Sequence, residues 1–160
     1  MKNTDQRSKG LSFIELIVVM VILAFLVKVA VPAVQNIVTN IMTGAVSASL
    51  GELRAAILAY SSAEITAGRA SRFASGAAGG WPTADQINEA KYAGGTNIVL
   101  QSRDVPENPF AKRVFSQDFD RVIASAGARG TLSGTAAGWD YNQTTGEVWP
   151  NTNVNGENLY

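Results

Sequence analysis

The sequence predicts an α+β chain: one long N-terminal helix, with a protruding hydrophobic half and an amphipathic half, packed under a small antiparallel β-sheet head. Three observations carry this expectation. Leu11 to Val34 is a 24-residue stretch broken by only three polar side chains, Ser12, Glu15 and Lys28. Beyond it, from Val38 to Tyr60, large apolar residues return every third or fourth position, which is helical spacing. Near the C-terminus, alternating large side chains flank a Gly-ended turn, which is a hairpin pattern.

The first element, residues 1–10, is polar and basic. It holds Lys2, Arg7 and Lys9 against Asp5, and composition changes abruptly at Gly10. The second, residues 11–34, is roughly 36 Å long as a helix at about 1.5 Å per residue, enough to cross a bilayer. The basic residues before it favour a cytoplasmic N-terminus, and Lys28 can extend its ammonium towards the opposite interface. The remainder of the chain then faces outward.

Glu15 is the anomaly in this span. A carboxylate at the bilayer centre costs about 2.5–3.5 kcal/mol on insertion scales, and less near an interface. Once residues 1–10 are removed, no basic side chain lies within a helical turn or two of Glu15. Cleavage after Gly10 does create a new amine at Leu11, four residues earlier, and a neighbouring subunit presents the same amine.

The third element, residues 35–62, places Val38, Met42, Val46, Leu50, Leu53, Ile57 and Tyr60 on one helical face. Asn36, Thr39, Asn40, Thr43, Ser47, Ser49, Glu52 and Arg54 lie opposite, so the segment is half-buried against a head. With the apolar span it reads as one helix from Leu11 to about Ser62, mildly interrupted by Pro32, Gly44 and Gly51.

Residues 63–160 form the head. Ala63 to Gly80 is rich in Ala, Gly and Ser and reads as a loop. Thr83 and Gln86 fit a capping box that opens a short helix to about Tyr92, stopped by Gly94 and Gly95. Ile98 to Leu100, Arg121 to Ala124 and Gly130 to Ser133 are strand candidates. The stretch Asp104 to Phe110 contains two prolines and reads as a surface loop. Gly138 to Asn142 and Glu147 to Trp149 flank Gln143 to Gly146 as the hairpin. Trp81, Trp139 and Trp149 are expected to pack rather than to form a ligand cage.

Composition narrows the function. The chain has 160 residues, 46% hydrophobic and 16% charged, with zero formal charge. Removing the first ten residues leaves a formal charge of −2, without the clustered cations that nucleic acids require. There is neither Cys nor His. Disulfides, His-based nucleophile activation and His-liganded zinc are therefore excluded, and no phosphate-loop or dinucleotide pattern occurs. Catalysis is not expected.

Lys9-Gly10-Leu11-Ser12-Phe13-Ile14-Glu15-Leu16-Ile17-Val18-Val19 resembles the class III leader junction of type IV prepilins and type II secretion pseudopilins. It combines a short basic leader, a Gly at the cut, an apolar residue after it, a Glu five residues into the mature chain and an uninterrupted apolar run. The resemblance implies that a prepilin peptidase cuts after Gly10 and methylates Leu11. It implies that Glu15 forms an assembly salt bridge with the Leu11 amine of an adjacent subunit, and that Pro32 is the helix-kinking proline. The first mature residue is Leu where Phe is more frequent, and Ala24 stands where many pilins have Gly. The Asn108-Pro109-Phe110 loop and the C-terminal hairpin are also similar to pseudopilin-like heads.

The implied function is that of a structural subunit of a type IV pilus-like filament serving adhesion or motility, with a type II secretion pseudopilin as the alternative. A membrane-tethered exported protein is a further one. Its partners are other copies of itself, prepilin peptidase, the inner-membrane assembly machinery, and the membrane before assembly. Its place is the inner membrane as a precursor, with leader cytoplasmic and head outside, then an extracellular pilus or periplasmic pseudopilus. A secretory signal peptide also starts basic and then apolar, but Val31-Pro32-Ala33 is a poor exit site and Glu15 is unfavourable in its core. An uncleaved anchor leaves Glu15 unexplained. No cofactor is expected. Some pseudopilins bind calcium, for which Asp118, Asp120 and Asp140 offer oxygens without a ligand spacing. Asn142-Gln143-Thr144 matches a glycosylation sequon.

Overall fold

The structure, a computed structural model, describes residues 12–68, 81–89, 99–100, 102, 104–115, 118–134 and 136–160. Helix α1 runs over Phe13–Thr66, 54 residues, with Pro32 inside it. It passes the expected end at Ser62 by one turn, because Ala63, Glu64 and Ile65 are compatible with helix. It closes where Ala67 and Gly68 donate to the carbonyls of Ala63 and Ile65. The expected loop over Ala63 to Gly80 is thus helical in its first residues, and 69–80 lie outside the described residues.

The chain divides into two compact units, Met1–Asn40 and Ile41–Tyr160. In the first, the described residues are helical from Phe13 onward, and every side chain from Ser12 to Val38 is exposed. In the second, Val46, Leu50, Leu53 and Ile57 of α1 are buried at spacings of four, three and four. They join a cluster with Ile87, Val105, Phe110, Val122, Trp139, Tyr141 and Val148. The buried stripe therefore begins at Met42, which is partly buried against this cluster, and not at Val38, which is exposed.

The polar side of this helix is less solvated than its composition predicts. Ser49 Oγ donates to the Glu107 carbonyl, and Arg54 Nη2 to the main-chain oxygens of Val148 and Tyr160, at 3.3 and 2.6 Å. Arg54 lies one position past the apolar stripe, so its stem covers core while its head reaches backbone oxygens.

Helix α2 is Ala84–Asn88, opened by the expected Thr83/Gln86 capping box with both reciprocal bonds present. The expected stop at Gly94 and Gly95 lies outside the described residues. Helix α3, Pro109–Phe115, replaces the second half of the expected loop. Asn108 caps it, its Oδ1 accepting from Phe110 and Ala111 at 3.0 and 3.3 Å. Pro109 takes the first helical position, where a missing N–H is harmless.

The sheet is mixed rather than antiparallel. Strands β1 (Val122–Ala124), β2 (Trp139–Asn142) and β3 (Glu147–Pro150) lie in that order. β1 and β2 are parallel, with Val122 opposite Trp139; β2 and β3 are antiparallel, with Asp140 opposite Trp149. The chain leaving β1 crosses over through residues 125–138, and Gly130 to Ser133 in that crossover form no strand. Val99 and Leu100 are buried but not strand, and Ile98 lies outside the described residues. A short 3₁₀ turn, Glu157–Leu159, ends the fold.

Two glycines are required by contact. A Cβ on Gly138 would collide with the Phe119 carbonyl, and one on Gly146 with the Trp81 ring. Gly146 also has φ of 76° and ends the hairpin turn, donating to the Asn142 carbonyl at 2.8 Å. Asn142 Oδ1 holds the turn by accepting from Thr144 and Thr145.

Candidate functional site

The first candidate site is the start of α1. Phe13 is 79% exposed, and Leu16, Val19, Leu23, Phe25 and Leu26 are exposed with it. By length and composition this helix is apolar enough to cross a membrane. A soluble fold buries such residues, each worth about 1.5–3 kcal/mol when removed from water. The segment is complete only against a surrounding of lipid or protein.

Glu15 sits in the first turn of α1. Its Oε2 accepts from the Ser12 backbone N–H at 2.9 Å, while Leu16 N–H donates to the Ser12 carbonyl at 3.2 Å. Ser12 is thus the N-cap and Glu15 the third helical residue. The carboxylate reaches back to an N–H that the helix itself leaves unpaired, at the positive end of the helix dipole. A search for cationic side chains misses this partner. The pattern Ser12-x-x-Glu15, followed by an apolar run, is the sequence signal for it.

The other predicted residues are placed as follows. Gly10 and Leu11 lie outside the described residues. Pro32 lies within α1, where its ring removes the N–H that would bond the Lys28 carbonyl, and Lys28 itself is exposed.

In the head, Asp118 and Asp120 share a cleft of about 400 Å³ with Asp85, Asn88, Glu89 and Arg121. Asp140 does not line it. Asp140 is buried on β2, its Oδ2 accepting from Ser133 N–H at 3.1 Å and its Oδ1 without a hydrogen-bond partner. Burial pushes its carboxyl above the ordinary value, against the hydrogen bonds from Ser133. Among the described residues, no three Asp or Glu side chains gather as a metal site. Asn142, the sequon residue, donates its Nδ2 to the Gly127 carbonyl at 3.1 Å.

The other buried polar groups tie the head together. Asn108 Nδ2 donates to the Gly138 carbonyl, Trp139 Nε1 to Pro106, Trp149 Nε1 to Thr131 and Tyr141 Oη to Pro82, all at 2.8 or 2.9 Å. The two hairpin tryptophans are thus buried packing residues with satisfied N–H groups, as expected; Trp81 is partly buried against the core. Burial raises the Tyr141 phenol well above its usual value.

Glu157 organises the C-terminal strap. Burial alone would raise its pKa, but N–H groups of Val154, Asn155 and Glu157 itself, with the Thr152 hydroxyl, hold it below the ordinary carboxylate value. The Val154 and Asn155 bonds are 2.9 and 2.6 Å.

Comparison with protein families matches the prokaryotic N-terminal methylation motif to residues 5–27. The match spans Gly10, Leu11, Ser12 and Glu15 and ends at Val27 inside α1. No curated protein and no solved structure gives a significant match to the chain.

Proposed function

We propose, from the N-terminal methylation motif matched at residues 5–27, that this chain is a structural subunit of a type IV pilus-like filament, serving adhesion or motility. Prepilin peptidase cuts after Gly10 and methylates the Leu11 amine. The precursor is held in the inner membrane with its leader cytoplasmic and its head outside, and assembly machinery moves it into an extracellular fibre.

The observation that carries this reading is the conjunction of the motif with a helix whose side chains from Ser12 to Val38 have no cover of their own. One apolar surface then serves twice, first against lipid and later against the same segment of neighbouring subunits. Pro32, lacking its N–H, is the place where the helix bends to pack.

Glu15 fixes the register. Among the described residues of its own chain, its partner is the Ser12 N–H. An ammonium at Leu11 of an adjacent subunit adds a charge-assisted bond, roughly twice as strong as a neutral one. In apolar surroundings only one axial offset between subunits supplies it.

A cysteine-free chain favours a second reading. Many major pilins staple a C-terminal loop with two cysteines, and their absence fits a pseudopilin in a short periplasmic fibre of a type II secretion system. Abundant surface filaments support the first reading; loss of secretion on deletion, with surface fibres intact, supports the second. Both require the same processing. Intact-mass and N-terminal fragment spectra of the mature protein should show methylated Leu11 as the first residue. A mature protein that begins anywhere else removes the basis of both.

A further inference from the structure

Among the described residues, side chains close the two outer edges of the sheet, and each edge carries a cleft, one lined mainly by carboxylates and the other by two arginines. At the β1 edge, Asn88 brackets Val122, Nδ2 donating to its carbonyl at 2.7 Å and Oδ1 accepting its N–H at 2.9 Å. This sets α2 beside the edge, where, among the described residues, Asp85, Glu89 and Asp118 line one cleft with Arg121. At the β3 edge, Arg54 closes the strand by donating to the Val148 carbonyl. Here a cleft of about 260 Å³ is lined by Arg54, Leu58, Trp81, Arg129 and the turn Thr145 to Glu147.

The two arginines of the β3 cleft are close enough to repel. Burial, and after it the charge of Arg129, lower the Arg54 pKa, and Glu147 only partly opposes this. Their observed bonds go to main-chain oxygens, Arg54 to Val148 and Tyr160, and Arg129 to Leu159 at 3.2 Å. A guanidinium has five N–H donors, so both retain capacity for a carboxylate. Half-exposed Leu58 supplies an apolar wall beside them.

We infer that the arginine cleft at the β3 edge receives carboxylates from the β1 edge of a second copy of this chain, making a head-to-head contact between neighbouring subunits. Two different surfaces on opposite edges of one head are what a heterologous contact needs, and repetition of such a contact gives an open helical array rather than a closed dimer. The contact rests on the filament reading and adds selectivity to it. The helices supply apolar burial, which is non-directional, whereas a charge pair sets which head edge meets which.

The test is charge reversal and rescue in the full chain. Arg129→Glu and Glu89→Arg are chosen because both side chains are exposed, and an added cation at the end of α2 suits its dipole. Each single reversal should lower filament yield about tenfold or more, and the double variant should recover most of it. Tryptophan-fluorescence melting checks that the heads stay folded, with Arg129→Gln separating lost charge from the lost Leu159 bond. The same variants are compared by sedimentation in detergent, where wild-type self-association should weaken with salt. Singles that match wild type, or a double variant no better than the singles, overturn the contact. If wild-type chain makes no filaments yet shows this reversal-and-rescue pattern in detergent, the filament reading falls and the contact stands. If it does neither, both fall.

Discussion

Residues 12–40 and residues 41–160 handle the same kind of side chain in opposite ways. In the head, Leu50, Leu53, Ile57, Trp139 and Trp149 are buried, and the indole N–H groups of the two tryptophans donate to backbone carbonyls. In the N-terminal segment, Leu16, Leu23, Phe25 and Leu26 are exposed on all sides of one helix. The head is a finished fold, while the segment is half of an interface. Apolar residues that face in every direction cannot be covered by one flat neighbour, so the segment calls for a surrounding environment, lipid or a bundle of its own copies.

This contrast can be broken by mutation, and the largest effect is expected at Glu15. Glu15→Ala should abolish or strongly slow filament formation while the precursor still inserts in the membrane and the head melts as in wild type. Normal filament yield in that variant contradicts the register role. Next comes the same substitution made in each region. Leu53→Ala leaves a cavity in the head core and should destabilise it by about 2–5 kcal/mol. Leu23→Ala should leave head stability within about 0.5 kcal/mol of wild type, because Leu23 is an exposed residue of the N-terminal unit. All three tryptophans lie in the head, so fluorescence-detected unfolding of the full chain in detergent reads this difference directly.

The smallest effects are those of pH, and they have opposite signs at two buried carboxylates. Glu157 has a folded pKa below the ordinary 4.5, so its contribution is present above that value and is lost as pH falls through the lowered one. Glu157→Gln should therefore lower the melting temperature at pH 7, with the gap closing on acidification. Asp140 has a folded pKa above 3.8, so its charge is a penalty at neutral pH that fades as pH falls through the raised value. Asp140→Asn should raise the melting temperature at pH 7 and match wild type below pH 3.8. Melting curves from pH 3 to 7 on the three proteins check both signs.

The two regions also differ in how far sequence reveals them. The long helix was legible because an apolar run and a three-or-four spacing are local signals, and its end was misplaced by only a turn. The hairpin was legible from Gly146 and its alternating flanks. Helix α3 is hidden because the two prolines of Asp104 to Phe110 exclude a central strand and suggest a loop, although Asn108-Pro109 is also a cap followed by a first helical residue. The mixed sheet was not legible, since the parallel partner of β1 is set by a crossover, not by the strands' own residues. At the candidate site, the motif around Gly10, Leu11 and Glu15 is legible in the sequence, whereas the Ser12 amide partner carries no charge and stands out only through the Ser12-x-x-Glu15 spacing. The arginine cleft joins Arg54, Trp81, Arg129 and Glu147. No local pattern links positions so far apart along the chain.

The chain's lack of cysteine makes the central claim directly measurable. Single cysteines placed through the segment, at Ala24 and Leu26 for example, can be oxidised in purified filaments and compared with single cysteines at exposed head positions. The account predicts disulfide-linked dimers from cysteines inside the segment when intact filaments are oxidised, and none when the filaments are dissolved in detergent before oxidation. Filaments that assemble normally while cysteines throughout residues 13–34 stay monomeric and freely alkylated would show that this helix is not the fibre's core.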